Sequence, residues 1–338
     1  MKHINIPIFI PHLGCPNQCI FCNQRYISGT YEFIETDVDN IINSVLSTTS
    51  SADEREIAFF GGSFTGIERD LMIRLLEKAQ KYVNNGQAVG IRMSTRPDYI
   101  NEEIIAILKK YTITCVELGV QSMNDTVLSY LKRGHSANDT YNAARLLNQA
   151  GIPFAGQMMI GLPTATVDDE IDCANKICEL GAVGARIYPT IVFKGTELEE
   201  ITKKNEYKPL TIDEAVERSA NVYRVFIQKG LICYRIGLCE SENLHSEETY
   251  FSGPTSPSIG EMVKSRVYFD IISEKIRQNK LQSTKELIIE CQPGAVSQVI
   301  GNKKHNIEEL KRSFGFKNIK VSENIDLRNF EIKLKEKE

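Results

Sequence analysis

The 338-residue sequence has no tryptophan, only five histidines and no apolar run near the roughly 20 residues that a membrane-spanning helix requires. Its nine cysteines are too few for a disulfide scaffold, and their number is odd. The histidines are scattered, so their spacing gives no Ser/His/Asp nucleophilic constellation. These absences argue against a spanning helix, a disulfide-stabilised secreted domain and a serine-hydrolase site, and they predict a cytoplasmic protein with reduced thiols.

Charge is distributed unevenly along the chain. The sequence carries 40 Lys and Arg against 44 Asp and Glu, and its 42% hydrophobic and 25% charged residues are average for a globular protein. Residues 264–338 hold 16 basic and 11 acidic residues, whereas residues 1–263 hold 24 and 33. A basic segment behind an acidic body is a weak indication of a polyanionic partner.

Up to about residue 195, short β-branched or aromatic runs alternate with amphipathic helical patterns. Strands are predicted at 4–10, 56–60, 89–94, 115–120, 154–160 and 185–192. Strands that alternate with helices imply βαβ units and a parallel sheet. The sequence therefore predicts an α/β fold, either an open doubly wound sheet or an incomplete (β/α)6 barrel of the TIM type.

Polar and glycine-rich sequences follow the predicted strands: PHLGCPNQCIFC after the first, then GGSFTG, STRPD, QS and GLPT. In parallel α/β folds, functional residues collect at the C-terminal ends of the strands. Such sequences also occur in ordinary βα turns. Five of them in succession, the first with three cysteines, favour a functional site.

Cys15, Cys19 and Cys22 have the spacing C-x3-C-x2-C in the loop after the first strand. Three thiolates on one loop can bind three corners of a [4Fe–4S] cluster and leave one iron open to a small molecule. The alternatives are a zinc site, completed by His12 or by a cysteine elsewhere in the chain, and three coincidental thiols. Only one C-x2-C pair is present, which favours the cluster over zinc. The other six cysteines are predicted to be small buried residues.

This triplet, with Phe21 directly before its third cysteine, resembles the radical S-adenosylmethionine (SAM) superfamily. The resemblance implies that the open iron chelates the amino and carboxylate groups of SAM, and that one electron cleaves the sulfonium to give a 5′-deoxyadenosyl radical. The protein then positions the reactants and excludes water and oxygen. Reduction implies an external donor such as a flavodoxin or ferredoxin, because only one cluster motif is visible.

The resemblance also implies which residues contact SAM. Gly61, Gly62 and Ser63 match the glycine motif after the second strand, where absent side chains let the backbone approach the methionine ammonium. The resemblance also implies that Ser94 and Arg96 contact the cofactor and that Glu117 and Gln121 contact its ribose hydroxyls. It implies that Arg133 pairs with the methionine carboxylate and that Met159 contacts the adenine. Each of these residues taken singly could equally be a structural polar or core residue.

Three segments resemble the catalytic subunit of Elongator and its bacterial relatives, a family that modifies the wobble uridine of tRNA: STRPDYI, VELGVQSMNDTVLSYLKRGHS, and the stretch from ARIYPT to YKPLT. The first two also recur in oxygen-independent coproporphyrinogen oxidases. Elongator subunits have a wider gap between their first two cysteines and an acetyltransferase domain. We find no acetyl-CoA site, and about a hundred residues after Gly237 leave no room for that domain in addition to the elements predicted there.

The stretch from ELIIECQPG to KNIKV resembles a KH module, in which a G-x-x-G loop clamps a nucleic-acid backbone. Here the loop reads Gly301, Asn302, Lys303 and Lys304, so lysine replaces the second glycine. Other lysines and arginines nearby favour phosphate attraction. The predicted organisation is a radical SAM barrel at 1–240, a linker at 241–263 and a small α+β KH-like module at 264–338.

The leading hypothesis is thus a radical SAM enzyme that acts on RNA, plausibly a tRNA base. Small-molecule chemistry of the coproporphyrinogen oxidase kind, with the tail as a packing module, is the second. A non-enzymatic RNA-binding protein with a structural cluster is the third.

Overall fold

The computed structural model describes residues 2–15, 19–30, 32–50, 53–238, 246–281 and 286–337. The strands are β1 His3–Phe9, β2 Glu54–Phe60, β3 Gly90–Thr95, β4 Ile113–Gln121, β5 Phe154–Ile160, β6 Gly184–Pro189, β7 Val192–Phe193, β8 Ile232–Ile236, β9 Tyr250–Ser252, β10 Glu286–Cys291, β11 Asn318–Glu323 and β12 Ile332–Lys337. The helices are α1 Gln24–Ser28, α2 Val38–Thr48, α3 Arg69–Asn84, α4 Glu102–Leu108, α5 Asp125–Tyr130, α6 Ala137–Ala150, α7 Val167–Glu179, α8 Glu197–Lys203, α9 Ile212–Lys229, α10 Ile259–Gln278, α11 Val296–Ile300 and α12 His305–Phe314.

A parallel sheet in the order β1-β2-β3-β4-β5-β6-β8 forms an incomplete barrel, which confirms the predicted fold class. Alternation along the strands explains its two faces. Along β1 and directly after it, Ile6, Ile8 and Ile10 are buried in the hydrophobic core, whereas Asn5, Pro7 and Phe9 line an interior cavity. One face of the strand therefore lines the barrel interior, and the other packs into the core.

The sheet differs from the prediction at its far end. The predicted strand 185–192 is two strands, because the chain leaves the sheet after β6 and Thr190 Oγ1 donates to the Ile160 carbonyl at 2.8 Å. The short β7 instead pairs with β9. β8, which follows the six strands predicted up to residue 195, pairs in parallel with β6 as the seventh strand.

Helix starts follow from local sequence. Ser136, Thr166 and Thr211 each cap a helix through a reciprocal capping box with an acid three residues later. Glycines at 151 and 230 end α6 and α9 in the left-handed conformation. These local devices fix the lengths of the helices that cover the barrel.

The C-terminal segment runs in the order β10, α11, the loop at 301–304, α12 and β11. β10 pairs in parallel with β11 and antiparallel with β12. α10 packs against α9 of the barrel as well as against α11 and α12. The boundary predicted between 263 and 264 therefore falls inside α10, and β9 in the predicted linker belongs to a strand pair, because its backbone hydrogen bonds are made with β7.

Within the described residues, no helix has the length and apolar character needed to cross a membrane. Residues 239–245, which include Cys239 and the start of the predicted linker, lie outside the described part of the chain, as do residues 16–18 of the cysteine loop. Of the other cysteines predicted to be buried, Cys115, Cys173 and Cys291 are buried and Cys178 and Cys233 are partly exposed.

Candidate functional site

A cavity of about 1020 Å³ occupies the barrel interior and extends to the C-terminal ends of the strands. It is lined by nearly all the residues for which the sequence predicted a role near the cofactor: Cys15, Cys19, Phe21, Cys22, Gly61, Gly62, Ser63, Ser94, Glu117, Gln121, Arg133 and Met159. Residues far apart in sequence thus meet in one space, as expected for strand ends of a parallel barrel.

The three cysteines lie on one wall of the cavity, each beside a polar group. Cys15 Sγ lies 3.2 Å from Ser63 Oγ, Arg133 Nη1 donates to Cys19 Sγ at 3.5 Å, and Gln24 Nε2 donates to Cys22 Sγ at 3.6 Å. Burial, and then the neighbouring Cys19, raise the pKa of Cys22 to about 12. Three thiolates could share this wall only with a cation to balance them, which is what an iron–sulfur cluster provides.

The donor set fits a cluster better than a zinc ion. His12 Nε2 accepts a hydrogen bond from the backbone N–H of Gln24 at 3.1 Å, so the lone pair of this nitrogen is engaged. Within the described ranges, no three His, Cys, Asp or Glu side chains converge as they would around a single metal ion. A cubane binds each thiolate at a different iron, so its cysteines need not converge on one point.

Ile20, between the second and third cysteines, fixes the cysteine loop to two helices. Its amide donates to the Leu131 carbonyl at 3.2 Å, and its carbonyl accepts from the Leu198 amide at 2.8 Å. Its side chain packs in a small apolar cluster with Leu131, Leu162 and Leu198, to which Phe21 and Met159 also contribute. The loop is therefore held from both sides by backbone and side-chain contacts.

The glycines after β2 allow the cysteine loop to approach. A Cβ on Gly62 would lie 2.4 Å from the Leu13 carbonyl oxygen and 2.6 Å from that of Ile10. Gly61 has φ +92°, a conformation that side chains disfavour. Only glycines fit this contact between β2 and the loop after β1.

Arg133 and Gln121 present buried polar atoms that other residues leave unsatisfied. Among the described residues, Arg133 Nε and Gln121 Oε1 have no hydrogen-bond partner, and both side chains line the cavity. Arg133 Nη2 donates to the Gly119 carbonyl at 2.9 Å, and a Cβ on Gly119 would lie 2.6 Å from that nitrogen. Unpaired buried polar atoms are costly, so they indicate a polar ligand in this cavity. Gly119 was missed in the sequence.

Glu117 belongs to a buried ion network in the middle of the barrel. Its carboxylate is fully buried and accepts from Arg186 at 2.6 and 2.8 Å, from Arg92 at 3.1 Å and from Gln157 at 2.7 Å. Burial opposes the charged form, but these donors hold the pKa of Glu117 below its usual value. Both oxygens thus accept hydrogen bonds from protein donors, and the ribose contacts predicted for Glu117 and Gln121 stay predictions. A charged residue in each of three apolar strands was the sequence signal for this network.

Arg96 does not line the cavity. Its guanidinium is only 2% exposed and donates from Nε and Nη2 to both oxygens of Asp98, at 2.9 and 2.7 Å. It also lies over the Tyr99 ring. Ser94, two residues earlier on β3, faces the cavity instead. Arg96 is therefore held by a local ion pair outside the cavity lining, its Nη1 is buried without a partner among the described residues, and its predicted cofactor contact stays a prediction.

The loop at 301–304 lies on the C-terminal sheet unit, away from the cavity lining. Gly301 is buried with φ +78°, and Asn302, Lys303 and Lys304 are exposed. Both lysines have positive φ, 49° and 64°, so lysine keeps the left-handed conformation that the missing second glycine would adopt freely. Buried Asn306 anchors this loop, because its Nδ2 donates to Ser265 and to the carbonyls of residues 298 and 299.

Comparison with known families gives two matches. Residues 9–177 match the family model described as the radical SAM superfamily, and residues 182–268 match the radical SAM C-terminal domain. The chain belongs to the radical SAM superfamily. It is thus a radical SAM enzyme, and the family uses SAM and a [4Fe–4S] cluster.

The curated relatives place this radical SAM enzyme in the Elongator-like branch. It is 34% identical over 185 residues to the tRNA uridine(34) acetyltransferase of Methanocaldococcus infernus, covering 49% of this chain and 35% of the relative. It is 29% identical over 221 residues to Elongator complex protein 3 of Homo sapiens, covering 59% and 40%. The chain spans less than half the length of both relatives.

Solved structures agree on the fold. The structure of archaeal Methanocaldococcus infernus Elongator protein 3 with an N-terminal deletion superposes with a TM-score of 0.62 at 22% identity, covering 84% of this chain and 66% of that one. A crystal structure of methylornithine synthase has a TM-score of 0.53 at 14% identity, covering 73% and 77%. At these identities the similarity establishes the radical SAM barrel alone.

Proposed function

We propose that this enzyme holds a [4Fe–4S] cluster on Cys15, Cys19 and Cys22, cleaves SAM reductively and modifies a tRNA base. The observation that carries the proposal is the meeting of three thiols with unsatisfied Arg133 and Gln121 in one cavity. When bound, the cluster and SAM supply a one-electron reductive cleavage that starts radical chemistry.

The chain's own residues have distinct parts in this proposal. Arg133, already donating to Cys19, has a free Nε to pair with a carboxylate. Gln121 accepts a hydroxyl hydrogen through its unpartnered Oε1. The backbone at Gly61 and Gly62 receives the ammonium group. The apolar cluster behind Ile20 excludes water from the cysteine loop.

Similarity to tRNA-modifying enzymes and the basic C-terminal segment support tRNA as the substrate. Lys303 and Lys304 are exposed and, with Gly301 and Asn302, form the proposed backbone contact of the KH-like module. Phosphate attraction requires exposed positive charge of this kind. A flavodoxin or ferredoxin is the proposed electron donor, and the proposed organisation is a barrel, a connecting segment and the RNA-binding module.

Anaerobic reconstitution tests this proposal. We expect four irons per chain, which is the content of one cubane, and we expect 5′-deoxyadenosine formation that tRNA enhances. A Cys19→Ser variant should lose the iron, and Lys303→Gln with Lys304→Gln should keep iron and basal turnover but lose the tRNA enhancement. Cluster-loaded protein that is indifferent to every RNA fraction would contradict the RNA substrate.

A further inference from the structure

The barrel is open between its two edge strands, β1 and β8. In the described sheet, β1 pairs only with β2 and β8 only with β6. Asn5 on β1 and Arg235 on β8 both line the cavity at these edges, and Arg186 is the register partner of Arg235 on β6. Two guanidinium groups and an amide thus face the interior beside the open side.

Among the described residues, no carboxylate balances the charge of Arg235. Arg186 is held by both oxygens of Glu117, and Arg92 pairs with Glu56 at 2.7 Å. Arg235, by contrast, makes no ion pair within the described part of the chain, and its Nε is buried without a hydrogen-bond partner. A half-buried, uncompensated guanidinium next to a second one is unfavourable unless an anion binds there.

Asn5 supplies a group of opposite character. Its Oδ1 is buried and has no partner among the described residues, so it can accept an N–H. A guanidinium fork matches the planar or tetrahedral oxygens of a carboxylate or phosphate. A ligand that carries both an oxyanion and an N–H donor would satisfy the two edges together, and a nucleotide carries both.

We propose that Arg235, with Arg186 beside it and Asn5 on the opposite edge, forms an oxyanion subsite for the substrate at the open side of the barrel. This inference rests on the proposed function: the oxyanion is a phosphate next to the base that enters the cavity. A carboxylate of a small acid has the same chemistry and is the other source.

Arginine labelling tests the subsite without cluster or turnover. The full-length chain is treated with phenylglyoxal, and modification of Arg235 is followed by peptide mass spectrometry with uridine 5′-monophosphate, uridine or succinate present. We expect the nucleotide to slow the modification by about tenfold relative to uridine, because a charge-assisted contact contributes roughly that factor to binding.

Matched variants separate charge from shape. Arg235→Gln should weaken binding of uridine 5′-monophosphate by about tenfold or more, and Arg235→Lys should retain part of it. Arg25→Gln, at another cavity-lining arginine on α1, should change it by no more than about twofold. Far-UV circular dichroism confirms that each variant is folded.

Protection of Arg235 by uridine 5′-monophosphate would support a subsite that binds a phosphate. Protection by succinate alone would support a subsite that binds the carboxylate of a small acid. Equal modification of Arg235 with and without every anion would overturn the subsite, as would an equal loss in the Arg25→Gln variant. Failure of the proposed function is read separately, since it appears as absent tRNA enhancement of 5′-deoxyadenosine in a protein whose Arg235 is still protected.

Discussion

Replacement of Glu117 by glutamine should destabilise the fold rather than weaken binding of SAM. The carboxylate is fully buried and receives four hydrogen bonds from Arg186, Arg92 and Gln157. Glutamine keeps the volume but removes the negative charge. Arg186 then loses its ion pair with Glu117, and Arg92 retains its ion pair with Glu56.

The burial of this ion pair determines how far the free energy of unfolding should fall. Removal of one member of a buried ion pair costs about 3–5 kcal/mol, because the remaining charge is left without compensation. Glu197→Gln is the matched control, since Glu197 pairs with Lys132 but the two side chains are 47% and 59% exposed. An exposed pair of this kind contributes less than about 1 kcal/mol.

Urea unfolding followed by circular dichroism measures both variants. The effect should also depend on pH, because the pKa of Glu117 lies below its unfolded value of 4.5. Its stabilisation is complete above that value and is lost as the pH falls through the folded pKa, a loss that the glutamine variant lacks. Equal stability of Glu117→Gln and Glu197→Gln, with SAM affinity reduced only in the former, would refute this reasoning. It would instead support a contact between Glu117 and the ribose of SAM.

Other perturbations give equally direct outcomes. Lys304→Gly should raise the free energy of unfolding by about 1 kcal/mol, because glycine adopts φ 64° without strain, while RNA affinity falls; a drop in melting temperature would contradict this. Gly62→Ala should abolish iron binding, measured as iron per chain, because its Cβ would meet backbone oxygens of the cysteine loop. Burial, and then Arg133, lower the pKa of His135 to about 4 from 6.5. As the pH falls, His135 is therefore protonated in the unfolded chain at a higher pH than in the folded protein. The free energy of unfolding of the wild-type protein should fall by about 2 kcal/mol more than that of His135→Phe between pH 7 and 5.

The motifs that follow the strands could be recognised in the sequence because each consists of residues close together in the chain. The strand at 154–160 has the predicted bounds, since its sequence pattern lies within the element. The cysteine triplet and the glycines at 61 and 62 are contiguous motifs of the same kind. The three cysteines and the two glycines line the cavity because the parallel barrel brings its strand ends together.

Long-range pairing could not be predicted in the same way. Glu117 and Arg186 are 69 residues apart, and each alone is consistent with a ligand contact. Arg96 has its partner two residues away, but the direction of its side chain depends on the turn after β3. The edge position of Arg235 depends on β8 joining β6, which its short, partly exposed pattern did not reveal.

The contact at Ile20 explains why the Elongator-like segments accompany the cysteine loop. Leu131 belongs to the segment that ends in KRGHS, and Leu198 belongs to the segment that contains KGTEL. Both bind the backbone of Ile20, and both side chains are fully buried against it. Because the cysteines on either side of Ile20 are fixed through these contacts, residues of these two segments set the position of the loop. The cavity beside it is therefore shaped by these segments as well as by the cysteine motif common to the superfamily.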